Sequence, residues 1–301
     1  MPILPNRLKR TPIASVIGLA LALNSGLTAA QEATPDDKGL ETITVTAQKR
    51  AQNLQEVPVA VTAFTGEAMA EAVIKDVYDL QTNVPGLGAF QSQSATNSSF
   101  SIRGVGTSSQ NFGLESSVGL YVDGVYRARQ NSMINNLVDI AAVEVLRGPQ
   151  GTLFGKNTPS GAILLSTVAP SHGGGDGFVE ATVGNYGLVN LSGAMSISAI
   201  DDVLAFRVTG FSSNRDGTIS DVNFGEDVLN DRDRFGGRIQ ALYTPSEDIS
   251  VRVIADYAEI DEICCGAPVQ LSNFQANEIP GKFGTDAILP TLGGTVFEGG
   301  N

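Results

Sequence analysis

The stretch VLRGPQGTLFGKNT, residues 145–158, carries the glycines and lone basic side chains that could cradle a phosphate. A P-loop needs Gly, four residues, Gly, Lys and then Ser or Thr. Gly155 and Lys156 supply the second Gly and the Lys. Gln150 stands where the first Gly should be, and Asn157 replaces the hydroxyl that binds magnesium. Nucleotide binding is therefore not predicted, and the glycine-rich run needs another explanation.

The side chains of conventional catalytic and metal sites are scarce in the sequence. His172 is the only histidine, and Cys264 and Cys265 are the only cysteines. A structural metal needs about four spaced ligands, and nucleophilic catalysis needs a nucleophile beside a base. We therefore predict no enzyme activity, no catalytic residue, no cofactor and no metal site.

The N-terminus has the pattern of a secretory signal. Three basic residues lie within the first ten positions, a mostly apolar run follows at 13–23, and small residues at 28–30 fit a cleavage site. The run is shorter than the roughly 20 residues that a membrane-spanning helix needs, which disfavours the alternative of a membrane anchor. We predict a signal peptide over residues 1–30 and an exported protein.

The overall charge indicates what the protein does not bind. The formal net charge is −13, and no basic block follows the signal region. Nucleic-acid binding depends on basic patches, so no nucleic-acid partner is predicted. No later stretch is long and apolar enough for a membrane helix, so entry into a membrane would require a β-barrel.

Export makes the adjacent cysteines a disulfide candidate. Neighbouring Cα atoms lie about 3.8 Å apart, below the usual disulfide minimum of about 4.4 Å, so a bond between Cys264 and Cys265 would be strained. Two free thiols and pairing with cysteines elsewhere are the alternatives. We expect the neighbour bond, in a long outer loop.

The segment ETITVTA at 41–47 alternates threonine with Ile or Val, which predicts a strand. No hairpin turn flanks it. It is either the first strand of the next domain or a strand offered to a partner by β-augmentation.

Residues 52–170 predict a compact α+β domain. Strands are predicted at 57–64, 101–105, 118–122, 125–127, 143–146 and 161–167. Helical segments are predicted at 66–72, 74–80, 133–137 and 140–142. Thr65 should cap the first helix, and Asp123-Gly124 is typical of a hairpin turn. The runs 91–99 and 107–117 are polar and predict loops.

After residue 177 the pattern changes to long alternating strands. Alternation of apolar and polar residues predicts five strands, near 179–184, 189–198, 204–209, 234–243 and 249–257. Their connections are mostly short on one side and long on the other. This pattern favours an outer-membrane barrel over a soluble sandwich, which also alternates.

These residues together resemble the TonB-dependent outer-membrane receptors. VEVLRGPQGTLFGKNTPSGAI at 143–163 looks like the family's most characteristic plug stretch, and SIRGVG at 101–106 and YVDGVY at 121–126 match two further plug signatures. ETITVTA at 41–47 looks like a TonB box, and FVEATVGNYG at 178–187 looks like the first barrel strand. The resemblance explains the glycine-rich run, because glycines let a plug backbone turn tightly.

The resemblance implies a domain order and a fold. A periplasmic segment with the TonB box spans residues 31–51, the α+β plug domain spans 52–170, and antiparallel transmembrane β-barrel strands occupy 177–301. Family barrels close with 22 strands, which at about ten residues each need roughly 220 residues. The 301-residue chain supplies about five, so we expect a truncated fragment that does not transport alone.

The resemblance also implies site residues. The residues expected to contact TonB are Thr42, Ile43, Thr44, Val45 and Thr46. Arg103 and Arg147 are expected to project from the plug toward barrel carboxylates and to lock the plug in place. The plug-apex loops supply the expected ligand-binding residues Gln93, Asn97, Gln110, Asn111 and Phe112.

The implied function is TonB-dependent active transport of a scarce nutrient across the outer membrane of a Gram-negative bacterium. An iron–siderophore complex is the expected ligand, with cobalamin, a carbohydrate or an aromatic compound as alternatives. TonB, outer-membrane lipid and a small-molecule ligand are the expected partners. The alternative from another class is a passive exported binding module.

Overall fold

The computed structural model describes residues 43–46, 49–50, 52–91, 98–107, 115–128, 136–221 and 225–264. The strands are β1 Thr44–Val45, β2 Gln52–Asn53, β3 Ala60–Thr65, β4 Leu87–Gln91, β5 Ser98–Ile102, β6 Val105–Gly106, β7 Val118–Val122, β8 Val125–Tyr126, β9 Ile140–Arg147, β10 Gly161–Thr167, β11 Gly177–Val183, β12 Val189–Ile200, β13 Leu204–Arg215, β14 Ile219–Asp221, β15 Gly225–Leu229, β16 Arg232–Ser246 and β17 Ile249–Ile260. The α-helices are α1 Gly66–Glu71, α2 Leu80–Asn83 and α3 Gly151–Phe154. Within these ranges no helix is long and apolar enough to cross a membrane.

The first large sheet has the strand order β3-β9-β10-β7-β8. Strand β10 pairs antiparallel with β9 and parallel with β7, which places β9 and β10 at the centre. Both strands are buried along most of their length, which explains their nearly continuous apolar sequences. The predicted α+β arrangement is confirmed for this part of the chain.

The two faces of this sheet have separate cores. Alternate residues of a strand point to opposite faces, so Val143 and Val145 lie on one side of β9 and Leu146 on the other. The first side packs against α1, α2 and the small sheet β4-β5-β6 through residues such as Leu80 and Phe100. The second core comprises Val45, Val57, Tyr121, Leu146, Ala162 and Leu164. The N-terminal segment with β1 and β2 therefore covers this second face.

Local sequence signals specify several turns as predicted. The hydroxyl of Thr65 accepts a hydrogen bond from the amide of Ala68 at 3.2 Å and caps α1. Asp123 and Gly124 have φ of 48° and 81° and join β7 to β8 by a two-residue turn. Both positive φ values fit the hairpin geometry that Asp-Gly favours.

Two helical predictions were wrong. In the segment 74–80 only the last residue is helical. Side-chain carboxylates of the segment accept hydrogen bonds from its backbone amides, which a helix would need. The Asp76 carboxylate accepts a hydrogen bond from the amide of Tyr78 at 2.9 Å, and the Asp79 carboxylate accepts one from the amide of Asp76 at 3.0 Å. Such local bonds compete with a helix. The run 140–142 begins β9 instead, since pairing with β3 and β10 overrides its weak helical pattern.

The second large sheet is an antiparallel meander of five strands, β11-β12-β13-β16-β17. Its outer face exposes large apolar side chains, among them Val179, Leu191, Ile239 and Val253. Its inner face carries the polar residues that alternate with these apolar ones. This face packs toward the α+β part of the chain, residues 52–170, which is called the plug below. The five predicted strands are confirmed, and this sheet is called the wall below. The long connection after β13 also holds the hairpin β14–β15, which the sequence did not predict.

Candidate functional site

The segment expected to contact TonB is docked on the plug. Ile43 to Thr46 are described, whereas Thr42 lies outside the described residues. Strand β1 pairs antiparallel with β2, and the amide of Leu54 donates to the carbonyl of Ile43 at 2.9 Å. Val45 is fully buried in the second core of the plug sheet. The assignment of this strand to TonB stays a prediction, and the structure adds that it is a packed part of the plug.

One buried acid ties this segment to the sheet. Glu144 of β9 is 3% exposed, and its Oε1 accepts hydrogen bonds from the amide of Thr46 at 2.7 Å and from the Thr46 hydroxyl at 2.9 Å. Its other oxygen is buried and has no hydrogen-bond partner among the described residues. The sequence prediction did not include Glu144. The available signal was a lone charge inside the apolar run VEVL.

The two arginines expected to lock the plug contact no wall carboxylate within the described residues. Arg103 lies at the tip of the β5–β6 turn with φ of 54° and is exposed. Arg147 ends β9, is half-buried, and has a buried Nε without a hydrogen-bond partner. Neither forms an ion pair with a described carboxylate of the wall strands. Their locking role stays a prediction.

Three of the ion pairs between plug and wall have the opposite polarity, with arginine on the wall and aspartate on the plug. Arg207 of β13 binds Asp139 through its Nε at 2.8 Å and its Nη2 at 2.6 Å. The two side chains are 4% and 1% exposed, and Thr209 donates to the same carboxylate at 2.6 Å. Arg207 also contacts Asp176 at 2.8 Å. Burial opposes ionisation of Asp176, but hydrogen bonds from Ser196 and Arg207 outweigh it and lower its pKa.

A second contact forms around Arg234 of β16. Its guanidinium binds Glu262 through Nε and, at 2.9 Å, through Nη2. Its Nη1 lies 3.6 Å from the Asp76 carboxylate of the plug, and Arg232 approaches the same oxygen at 3.5 Å. Burial raises the pKa of Asp76, because the two arginines only partly offset the loss of water around the carboxylate. Burial also raises the pKa of Tyr78 to about 12.

The third contact joins Arg252 of β17 to the β7–β8 turn. Its Nη1 lies 3.5 Å from the Asp123 carboxylate, and its Nη2 donates to the Thr167 hydroxyl at 2.6 Å. Thr167 in turn donates to Asp123 through its amide at 2.9 Å and its hydroxyl at 2.8 Å. Three wall strands thus each present an arginine to a plug aspartate, and we call these three pairs the wall contacts. The available sequence signal was an arginine at one of the polar alternating positions in each of these three strands.

A cavity of about 360 Å³ separates α1 from the inner face of β11–β13. The apolar part of its lining includes Met69, Ile74, Phe178 and Phe211. An ion pair between Lys75 and Glu180, at 2.5 Å, joins plug and wall beside it. Because Phe211 lines this cavity, its side chain lies on the inner face of β13.

The remaining predicted site residues are mostly beyond the described ranges. Gln93, Asn97, Gln110, Asn111 and Phe112 lie outside the described residues. Cys264 takes part in a disulfide bond, but Cys265 lies outside, so the pairing between neighbours stays a prediction. Within the described ranges no cluster of His, Cys, Asp or Glu is arranged to hold a metal ion.

Comparison with known proteins gives consistent matches. Residues 53–162 match the family model described as TonB-dependent Receptor Plug Domain. The pesticin receptor of Yersinia enterocolitica is 32% identical over 222 residues, which cover 72% of this chain and 32% of that receptor. The catecholate siderophore receptor Fiu of Escherichia coli K12 is 32% identical over 127 residues, 39% of this chain and 15% of Fiu.

A solved structure gives a further partial match. The ferric yersiniabactin uptake receptor FyuA from Yersinia pestis aligns with a TM-score of 0.59 at 28% identity, over 63% of this chain and 29% of that one. The chain spans about a third of the length of the pesticin receptors that it matches.

Proposed function

Because the chain belongs to the TonB-dependent outer-membrane receptors and carries their plug domain over residues 53–162, we propose that it acts in the energised import of a ferric siderophore. In this proposal residues 52–170 form the plug, and the strands from residue 177 onward form part of the barrel that surrounds it. The observation that carries the proposal is the plug sheet held against the polar face of the wall by the three wall contacts.

Import in this proposal makes and breaks no covalent bond. The ligand binds at the plug apex, for which the loops with Gln93, Asn97, Gln110, Asn111 and Phe112 are the candidates. TonB pairs with Thr42 to Thr46 by β-augmentation and pulls on the plug. The wall contacts must then rearrange before a ligand passes. They are ionic and hydrogen-bonded, so water that enters between plug and wall can replace them.

The substrate class rests on the relatives. They include a catecholate siderophore receptor and a ferric yersiniabactin uptake receptor, which supports a ferric siderophore over cobalamin, a carbohydrate or an aromatic compound. The exposed apolar outer face of the wall supports contact with outer-membrane lipid. It disfavours the alternative of a passive exported module, which would not need such a face.

Uptake assays test the proposal. A strain that lacks the gene should fail to grow on at least one ferric siderophore, and the full-length gene should restore growth and uptake of labelled iron. Ile43→Pro should bind the ligand but not import it, because proline cannot donate to an added strand. Ile43→Val is the matched control and should import normally.

Each result has a distinct meaning. If the gene is needed for growth on cobalamin or a carbohydrate and iron uptake is unchanged without it, that compound is the substrate and the ferric siderophore is not. Normal uptake by Ile43→Pro would remove the TonB assignment. Ligand binding by a protein absent from the membrane fraction would favour the exported module.

A further inference from the structure

Glu144 occupies an unusual place for a carboxylate. It lies in the middle of β9, with Ala63 of β3 and Leu164 of β10 directly opposite it. Its face of the sheet also carries Leu146, which belongs to the second core. A charge on such a face is costly unless hydrogen bonds compensate it. The side chain therefore needs donors from whatever covers this face.

The covering segment supplies those donors through a single residue. The amide and the hydroxyl of Thr46 both bind Oε1 of Glu144, at 2.7 and 2.9 Å. Charged acceptors make hydrogen bonds roughly twice as strong as neutral ones. Val45, the preceding residue, is fully buried in the second core. The strand is thus held by one apolar anchor and one polar tie.

The tie uses the edge of β1 that faces away from β2. Successive residues of a strand direct their backbone groups to opposite edges. Ile43 accepts from Leu54 on the β2 side, so Thr46, three positions later, donates on the other side. That second edge is the one to which a further strand could add. In the docked state the Glu144 carboxylate already accepts a hydrogen bond from a backbone amide on this edge, that of Thr46.

We propose that Glu144 is the positioning residue that keeps the TonB-contacting strand docked and closes its free edge to other strands. This inference rests on the proposed TonB pairing. A pairing strand must displace the carboxylate from the Thr46 amide, and Val45 must leave the second core. Displacement returns Glu144 to water, which removes the cost of its burial and favours the released state once the strand has moved.

Four variants of the full-length protein test this role. Glu144→Ala removes the acceptor, and Glu144→Gln keeps an oxygen at the same place. Thr46→Val removes the hydroxyl donor and keeps the amide. Thr44→Val is the matched control for exchange alone, since this exposed threonine lies in the same strand but also belongs to the TonB-contacting segment. The readouts are hydrogen exchange of the amides at 43–46 and the affinity of a purified periplasmic domain of TonB.

Loss of both hydrogen bonds should raise exchange of the Thr46 amide at least about tenfold in Glu144→Ala. The TonB affinity should rise in parallel, because affinity scales with the fraction of the competent state. Glu144→Gln should stay within about threefold of the parent, Thr46→Val should fall between, and Thr44→Val should show the parental exchange rate at Thr46. Equal exchange at Thr46 in Glu144→Ala and in the Thr44→Val control would overturn the proposal.

Two further outcomes separate this proposal from others. If Glu144→Ala also speeds exchange of Val145 and Ile163, the sheet itself has loosened. Thr46→Val does not alter the sheet and then decides the matter. A raised exchange rate at the Thr46 amide supports the tie, and a parental rate overturns it. If no variant and not even the parent binds TonB, the proposed partner is wrong, while exchange at Thr46 still measures the role of Glu144.

Discussion

Arg207→Met gives the sharpest test of how the plug is held. Methionine keeps a long flexible stem and removes the guanidinium. In the parent, that group makes two hydrogen bonds to Asp139, at 2.8 and 2.6 Å, between side chains that are 4% and 1% exposed. After the change, the carboxylate stays buried and keeps the bond from Thr209.

The magnitude follows from the burial of Asp139. Breaking a buried ion pair by removing one partner costs about 3–5 kcal/mol, because the other charge stays uncompensated. At about 1.4 kcal/mol per factor of ten, this is about two to four orders of magnitude in the opening equilibrium of the contact. Replacing both partners should cost much less, so Asp139→Asn in the Arg207→Met background should recover part of the loss.

Hydrogen exchange measures this opening. The amide of Val168 donates to the carbonyl of Asp139 at 3.1 Å and reports on the contact directly. The matched control is Arg127→Met, which breaks the pair with Asp256 at 3.5 Å between side chains that are 31% and 48% exposed. An exposed pair contributes under about 1 kcal/mol, so its loss should change exchange by less than about fivefold.

The comparison of the two variants can refute the reasoning. Equal effects of Arg207→Met and Arg127→Met would mean that burial does not set the strength of the wall contacts. A double variant no better than Arg207→Met would mean that the stranded carboxylate is not the source of the loss.

Three further outcomes are expected. In the assembled receptor Arg147→Ala should loosen the plug, raising sensitivity to large antibiotics and lowering the thermal unfolding temperature, whereas Arg147→Lys should not; unchanged values for the alanine variant would exclude the lock. Burial raises the folded-state pKa of Asp76, so its contribution to stability falls as pH rises through that pKa; Asp76→Asn should flatten the stability curve in this range, which lies above the ordinary aspartate pKa, and an unchanged slope would contradict it. Thiol labelling of the unreduced protein should leave Cys264 and Cys265 unmodified, and reduction should weaken ligand capture without unfolding; full labelling before reduction would exclude the bond.

The sequence predicted the elements whose signals are local. Alternation of apolar and polar residues over β12 or β16 is long enough to identify a strand without its partner. The Thr65 cap and the Asp123-Gly124 turn act within four residues, so neither needed tertiary information. The helical prediction at 74–80 failed for a related reason, since Asp76 and Asp79 offered the backbone other acceptors.

The candidate site was less predictable because its partners are far apart in the chain. Arg207 and Asp139 are separated by 68 positions, and Arg232 and Asp76 by 156. Alternation along the strands places these arginines on the polar face of the wall, but it does not show which acids they meet. Glu144 and Thr46, 98 positions apart, present the same difficulty.

Two of the three wall contacts share a geometric reason for placing aspartate on the plug. Asp123 and Asp139 both have positive φ, 48° and 58°, and both lie where the plug backbone turns toward the wall. Aspartate tolerates this conformation and has a short side chain, so the arginine on the wall must supply the reach. Arg103, with φ of 54°, has the corresponding place in the β5–β6 turn, where Ile102 pairs with Val105. There the long side chain is on the plug, so its partner, if the predicted lock holds, should be a short acid on the wall.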